Sequence, residues 1–486
     1  METLQKLLEK LNRMFKICFF CRSRLTELYG ELFKHASSDF SYKYIAYSKD
    51  EEVFLKENYN IVVLSNFKKF VHQNFDKVQA TNMSIIDEFI ISWSAGRFNL
   101  NGVIQSDRAL KHLSQSDAYK IIKIYWFFWD DFFKNNSDLD LFLHETTSLA
   151  LNFLASLFCK KYEIIYTDMV GVPNYVPSFM FISSNNGESI DFENAIYGVS
   201  DINSEFNEYI LQKYRSISNL SVDTSIVIAF KSLVKNFFIK TSNRFTRKID
   251  SVKDCVEWFM LYDKRYKNKL INLFLYNFID WDEPIEGEEF FYYSMNLEPE
   301  AVVQYLADGL YSNQVKLIEN IAAQLPPNTY LYVKDHVVEY GYRNFRDYKY
   351  LQALHNVKVI DPRVRGSELI KKCKAVIAIC GTAILEAHFF EKISYMFGNF
   401  YYEKSKNVVK IFNIKDFREI LYSNPKFERN DKVEFLKKFL ASSYLGSPDR
   451  FNGGESDSNV KDYADNIVNI SNSLMNYASK NCKKNR

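Results

Sequence analysis

The sequence predicts an α/β protein of more than one domain, and three observations carry that expectation. Apolar runs of strand length alternate with stripes at helical spacing, most regularly from residue 289 onward. Several of those runs stop on Gly, Asp, His or Pro, the residue types that end strands and open turns. The chain has 486 residues, 47% of them hydrophobic, which is too long for one ordinary core and suits two or three.

The 62 basic and 60 acidic side chains leave a net charge of +2, which argues against nucleic acid as the main partner. The 7 cysteines are odd in number and scattered, so the expected compartment is a reducing one. Cys18-Phe19-Phe20-Cys21 has no second pair and no nearby histidine. It reads as core thiols on a helix rather than a zinc or redox centre. No secretory signal is visible. Lys and Arg interrupt the apolar patch near the start well before the ~20 residues that span a bilayer. The expectation is a cytoplasmic protein. The basic ending, SKNCKKNR, leaves room for peripheral contact with the inner face of the cytoplasmic membrane.

Taken in order, residues 1–35 read as a helix, followed by strand-like runs around 43–48 and 60–66. Residues 104–160 read as mostly helical, with a strand-like DLFLHE ending at Glu145 and a helix through LALNFLASLFCKKY. EIIYTD is the next strand. Residues 200–285, rich in Lys, Asn and aromatics, read as a helical insert. The rhythm then becomes regular. EFFYYSM, TYLYVKDH, VKVID, AVIAIC and ISYMFG are strands; SNQVKLIENIAAQL, DYKYLQAL, SELIKKC (Ser367 as N-cap) and TAILEAHFF are helices. Strands alternating with short helices give a parallel sheet with right-handed crossovers. The Gly/Ser/Asp-rich 447–460 reads as a linker before a last helix that packs back on the first domain. The expected domains are 1–285, 286–446 and the 447–486 extension.

Ligands of such sheets bind beyond the carboxyl ends of the strands. There the sequence places Glu298-Pro299-Glu300, Lys334-Asp335-His336, Asp361 to Arg365, and Gly381-Thr382. The opening of a helix leaves about four amides unpaired and carries roughly half a positive charge, which suits a phosphate. Gly381 lets backbone approach closely, Thr382 can cap the helix or donate its hydroxyl, and Glu386 one turn on can accept from ribose hydroxyls. Lys334 and His336 are read on one strand face, aimed at a phosphate, with the imidazole pKa drawn upward. Glu298 and Glu300 are read on a shared face as a possible acid and base. Arg343, Arg346, Arg363 and Arg365 are candidates for gripping a carboxylate. Glu145 is a candidate acceptor-binding residue or base, and His144 is read as packed. Asp138-Leu139-Asp140 spells DxD but precedes its strand. Asp130-Asp131 reads as solvated.

The ordered motifs LEPE, YSNQ with a long helix, LYVKDH, NVKVIDP and AICGTAILEA resemble the capsule polysaccharide biosynthesis family, bacterial Kdo-transferase-like proteins, over about 289–398. Weaker echoes are SDRALKHL and LFLHETTS. The resemblance implies a GT-B-like chain, two Rossmann-like domains facing across a cleft with extra helices in the N-terminal half. It also implies a metal-independent glycosyltransferase that takes Kdo or a related ulosonic acid from a CMP-activated donor to a surface glycan or glycolipid, without a cofactor. The family's motifs fall on Glu298-Pro299-Glu300, on Lys334-Asp335-His336 with Val337 in place of proline, and on Gly381-Thr382-Ala383. Ser312 and Gln314 join the donor-binding set with Lys334, Arg363 and Glu386. The alternatives are a nucleotide-sugar epimerase on the same scaffold and a non-catalytic protein of capsule assembly or export.

Overall fold

The computed structural model describes residues 14–482 apart from 24, 173–176, 184–185, 196–264, 299–300 and 449–459. The chain divides into two compact units. One takes in Met1–Ile104, Leu113–Gly198 and Lys438–Arg486; the other takes in Gln105–His112 and Val199–Lys437. Among the described residues each unit holds one sheet. Most of the 200–285 stretch and of the 447–460 stretch lies outside the described residues, as does the start of the chain.

In the first unit the strands are β1 (Phe15–Cys21), β2 (Phe40–Ala46), β3 (Ser65–Asn66), β4 (Leu141–Leu143), β5 (Ile165–Val172) and β6 (Ser178–Ile182). In the second they are β7 (Phe290–Ser294), β8 (Tyr330–Lys334), β9 (Val357–Ile360), β10 (Val376–Ala378), β11 (Ser394–Met396) and β12 (Val408–Lys410). A two-residue β13 (Tyr444–Leu445) returns to the first sheet. The second sheet runs β12-β11-β10-β7-β8-β9 with every pair parallel. The first runs β13-β6-β5-β4-β1-β2-β3, parallel from β3 to β5 and antiparallel at β6 and β13. Numbered within its own unit, each six-strand series has the order 3-2-1-4-5-6 of a dinucleotide-binding fold. The fold class is therefore α/β and GT-B-like, two Rossmann-like units in one chain with additional helices in the first.

The expected helix over residues 1–35 is corrected. Phe15–Cys21 is the central strand of the first sheet, and a helix follows only at Leu25–Phe33. The reason is burial on both faces: Ile17 to Cys21 are at 0% exposure, so the run shows no alternation. Cys18 and Cys21 are therefore strand thiols, both buried and free. Of the 60–66 run, only Ser65–Asn66 is strand. Asn60 instead closes the preceding helix, Lys49–Tyr59, in the left-handed conformation.

Cores differ in how they are closed. In the first unit Phe19, Tyr29 and Tyr44 stack beneath Leu25–Phe33, and the final helix Val460–Asn481 adds Ile467, Ile470, Leu474 and Tyr477 to the same cluster. Tyr477 stacks on Phe181 of β6 at 4.0 Å. Asp191, 1% exposed, accepts from Tyr444 Oη at 2.6 Å and from Asn481 Nδ2 at 3.0 Å. The C-terminal helix is thus fastened by both apolar burial and a satisfied buried carboxylate. Gly30 is required here: a Cβ would meet the Tyr59 ring at 2.4 Å. The core of the second unit is aromatic along the strands, with Phe290 and Tyr332 stacked at 3.9 Å.

Two local expectations are also corrected. Ser367 does not cap its helix, Gly366–Lys372; Arg365 takes that position, and Ser367 is the second helical residue, buried in the first turn. Asp130 is not solvated. It is 6% exposed inside the helix Gln115–Asn135 and pairs with Lys134 at 2.5 Å. Among the described residues no helix is long and apolar enough to cross a membrane.

Candidate active site

In a sheet of this order the chain reverses direction between strands 1 and 4, and a crevice opens at their carboxyl ends. In the second unit those strands are β7 and β10. The residues just beyond them are Met295 to Glu298 and Ile379 to Thr382. Asn296 joins the two ends: its Nδ2 donates to the Cys380 carbonyl at 2.8 Å. Gln314, the first residue of the helix Gln314–Ala322, fixes the same loop. Its Oε1 accepts from the Asn296 amide at 2.8 Å, and its Nε2 donates to the Asn296 carbonyl at 2.9 Å and to Glu298 Oε1 at 2.6 Å. Gln314 is 1% exposed, so its part here is to hold the loop.

Gly381 is the N-cap of the helix Thr382–Phe389, with φ 124° and no side-chain cap bond. Thr382 is therefore the first helical residue and not the cap. A Cβ on Gly381 would lie 3.2 Å from Asn296 Nδ2, so both the conformation and the space select glycine. Among the described residues no side chain caps this helix opening, which leaves the Thr382 and Ala383 amides at its positive end.

Beside this corner, β8 ends at Lys334. Lys334 is 9% exposed, and its ammonium donates to the Asp335 carbonyl at 3.2 Å. Burial lowers its pKa, opposed by the carboxylates of Asp335, Glu386 and Asp361. Glu386 is partly buried and takes no side-chain hydrogen bond among the described residues. Burial pushes its carboxyl up to about 7, against the pull of Lys334. The two groups sense each other without closing into a bonded pair, which leaves hydrogen-bonding capacity on both sides.

His336 departs from expectation. β8 stops before it, and the residue caps the turn Val337–Glu339, its Nδ1 accepting from the Val338 amide at 3.2 Å. Nε2 therefore carries the proton, on a residue that is otherwise exposed. Its pKa is lowered, first by desolvation and then by the Lys334 ammonium, with Asp335 opposing. Desolvation leads and the Lys334 cation adds to it; the upward shift expected from the sequence belongs to an imidazole beside a phosphate.

The remaining candidates separate clearly. β7 ends at Ser294, so Glu298 stands in a loop and not on a strand face; Pro299 and Glu300 lie outside the described residues. Glu298 Oε2 is 3.2 Å from Arg343 Nη1. Arg343 is 5% exposed and bonds Asp335 through Nε, with Nη2 reaching the Asn296 carbonyl at 3.3 Å. Asp335 also accepts from Tyr348 Oη at 2.8 Å. Arg343 is therefore a buried brace, not a surface grip. Arg363 folds back on Asp361 of its own turn at 2.5 Å, and Arg346 and Arg365 are exposed. Ser312 is exposed at the rim of a pocket that also contains Glu298 and Gln314.

The same crevice in the first unit lies beyond β1 and β4. Glu145 stands two residues past β4 and is paired with Arg22, the residue after β1; Asn152 Nδ2 adds a contact to Glu145 at 3.4 Å. His144 is at 0% exposure against Phe20, centroids 4.6 Å apart, and desolvation holds it neutral. Asp138 pairs with Lys16, and Asp140 accepts the Lys16 amide at 2.9 Å, so the DxD tie is structural. Asp107 accepts the Ala109 and Leu110 amides at 2.7 and 2.9 Å. Among the described residues no group of three His, Cys, Asp or Glu side chains is arranged to hold a metal ion. The residues that sequence reasoning passed over are Asn296 and Arg22. Asn296 was within reach, since it directly follows the EFFYYSM strand.

No family model and no curated protein matches this chain. Among solved structures it is similar to the UDP-GlcNAc 2-epimerase from Neisseria meningitidis bound to UDP-GlcNAc, at 11% identity and a TM-score of 0.22, covering 96% of this chain and 100% of that one. It is also similar to the Methanocaldococcus jannaschii UDP-GlcNAc 2-epimerase in complex with UDP-GlcNAc and UDP, at 10% identity and 0.26, covering 88% and 99%. A third is the Thermosulfurimonas dismutans KpsC, a beta Kdo 2,4 transferase, at 12% identity and 0.33, covering 68% and 87%. Likeness at this level carries nothing about reaction or substrate; the architecture of the chain rests on its own strand order.

Proposed function

We propose that this chain is an enzyme of nucleotide-activated sugars, with the nucleotide held at the β7/β10 crevice of the second unit. One observation carries the reading. A buried lysine, a partly buried carboxylate with free hydrogen-bonding capacity and a glycine-capped helix end converge where this strand order opens its crevice. Lys334 and the Thr382 and Ala383 amides hold phosphate, each charge-assisted bond contributing about 1.5–3 kcal/mol. Glu386 accepts from ribose hydroxyls. His336 Nε2–H donates to phosphate oxygen, and a bound anion draws its pKa back upward.

Two reactions fit that binding mode. Transfer of Kdo or a related ulosonic acid from CMP rests on the ordered strand-end motifs. Epimerisation of a nucleotide sugar is favoured by the state of the charged side chains. A CMP-ulosonate carries a carboxylate of its own, yet Arg343 is committed to Asp335 and Glu298, and Arg363 to Asp361. Glu298 is engaged by Gln314 and Arg343, which lowers its value as a nucleophile. A UDP-sugar without a carboxylate asks for neither, so epimerisation is the reading we prefer.

Thermal denaturation with CMP, UDP and GDP separates these outcomes. A ligand at about 100 times its Kd adds about 2.7 kcal/mol. The larger shift from UDP is the expected result, and the larger shift from CMP restores the transferase reading. Equal shifts from all three, or none, overturn the proposal.

A further inference from the structure

A second volume opens at the same sheet rim, in the second unit. It is a pocket of about 550 Å³ between the opening turns of the helices Gln314–Ala322 and Phe345–Gln352, bordered by Glu298, Asn313, Lys316, Arg343, Asp347 and Tyr350. That volume falls in the range of small-ligand sites. Its chemistry differs from that of the crevice. Both cations are already committed: Lys316 Nζ to Glu319 at 2.8 Å, and Arg343 to Asp335 and Glu298. Asp347 is the reverse case. It is partly buried, and its carboxylate takes no hydrogen bond among the described residues. Tyr350 presents a ring at 46% exposure, its hydroxyl directed to Glu319.

We propose that this pocket binds a neutral, hydroxyl-rich sugar, with the Asp347 carboxylate accepting from its hydroxyls and the Tyr350 ring lying against its C–H face. A carboxylate accepts only, so it needs donors, and sugar hydroxyls supply them. The walls carry Glu298, Glu319 and Asp347 against Lys316 and Arg343, an acidic balance that disfavours an anionic sugar. The loop from Asn296 to Glu298 borders the pocket and the nucleotide crevice alike: Gln314 holds one side of Asn296 and the Cys380 carbonyl the other. The pocket thus deepens the nucleotide-sugar reading, and rests on it for its role, as the place of the glycosyl group or of a glycan acceptor.

Saturation-transfer NMR on the full chain tests this with the methyl β-glycoside of N-acetylglucosamine as neutral probe and free Kdo as anionic probe. The neutral glycoside gives transfer with the unaltered protein. Asp347→Ala and Tyr350→Ala each weaken it about fivefold or more, the worth of one hydrogen bond or contact. Kdo gives the weaker transfer. No transfer from the neutral glycoside, transfer unchanged in both variants, or stronger transfer from Kdo overturns the proposal. Nucleotide thermal shifts on the same proteins keep the two readings apart. Asp347→Ala retains the shift. Sugar transfer in a protein that no nucleotide shifts supports the pocket while removing the nucleotide reading.

Discussion

The two crevices of this molecule share one strand order and differ in charge economy. Beyond β1 and β4, Arg22 and Glu145 neutralise each other, and His144 is sealed beneath them in neutral form. Beyond β7 and β10, the bridging group is a neutral amide, Asn296. The nearby Lys334 and Glu386 keep their hydrogen-bonding capacity open, and a glycine-capped helix end faces the same corner. Topology therefore supplies the crevice twice, and the loop residues decide how the charges at each one are paired. A Rossmann order alone does not assign a phosphate site.

The sharpest way to break this contrast is to remove the cation. Lys334→Ala should weaken nucleotide binding by about 10- to 150-fold, the worth of one charge-assisted hydrogen bond. Isothermal titration with the nucleotide that gives the largest thermal shift measures it. The matching change in the other crevice, Arg22→Ala, should leave the same Kd within about twofold, because additivity holds for independent sites. If both variants lose affinity alike, the contrast between the crevices is wrong.

Glu386 sharpens the comparison through pH. Its carboxyl has a folded value of about 7, above the ordinary 4.5, so the folded state holds its proton more tightly than the unfolded state does. Between those values the unfolded chain binds fewer protons, and stability falls as pH rises. Glu386→Gln removes that loss. It should raise unfolding stability by about 1–3 kcal/mol at pH 8 and have no effect below pH 4, read from urea melts across the range. A constant difference at every pH would show that the carboxyl does not titrate as described.

How much of this was legible before the fold was known depends on what kind of signal each residue left. The strands of the second unit announced themselves as apolar runs with turn residues at fixed offsets, and Gly381 marked its corner because few other residues take φ 124°. β1 left the wrong signal, since a strand buried on both faces looks the same as one turn after another of a buried helix. Strand order left none, as pairing is non-local; the adjacency of β7 and β10 is what puts Asn296 against Cys380. Charged residues were the least legible. Arg343 and Arg363 look alike in sequence, yet one is a buried brace with Asp335 and the other lies on the surface against Asp361. What separates them is the partner, and the partner is fixed by packing.

Gly381 offers a smaller, local test of the open crevice. Gly381→Ala forces a side chain into the positive-φ region and brings its Cβ to 3.2 Å from Asn296 Nδ2. The strain should cost about 1–3 kcal/mol of stability. The displaced Asn296 should also loosen the loop that leads to Glu298, so nucleotide affinity falls along with stability.

The least effect is expected where the first crevice has already satisfied itself. Asn152→Ala removes a 3.4 Å contact to Glu145 and leaves the Arg22 pair in place. Asn152 is at 0% exposure, so the change also leaves a small void. Its expected cost, measured by urea melts, is about 1–2 kcal/mol of stability with no change in nucleotide Kd. Loss of nucleotide affinity in this variant would overturn the placement of the nucleotide site in the second unit alone.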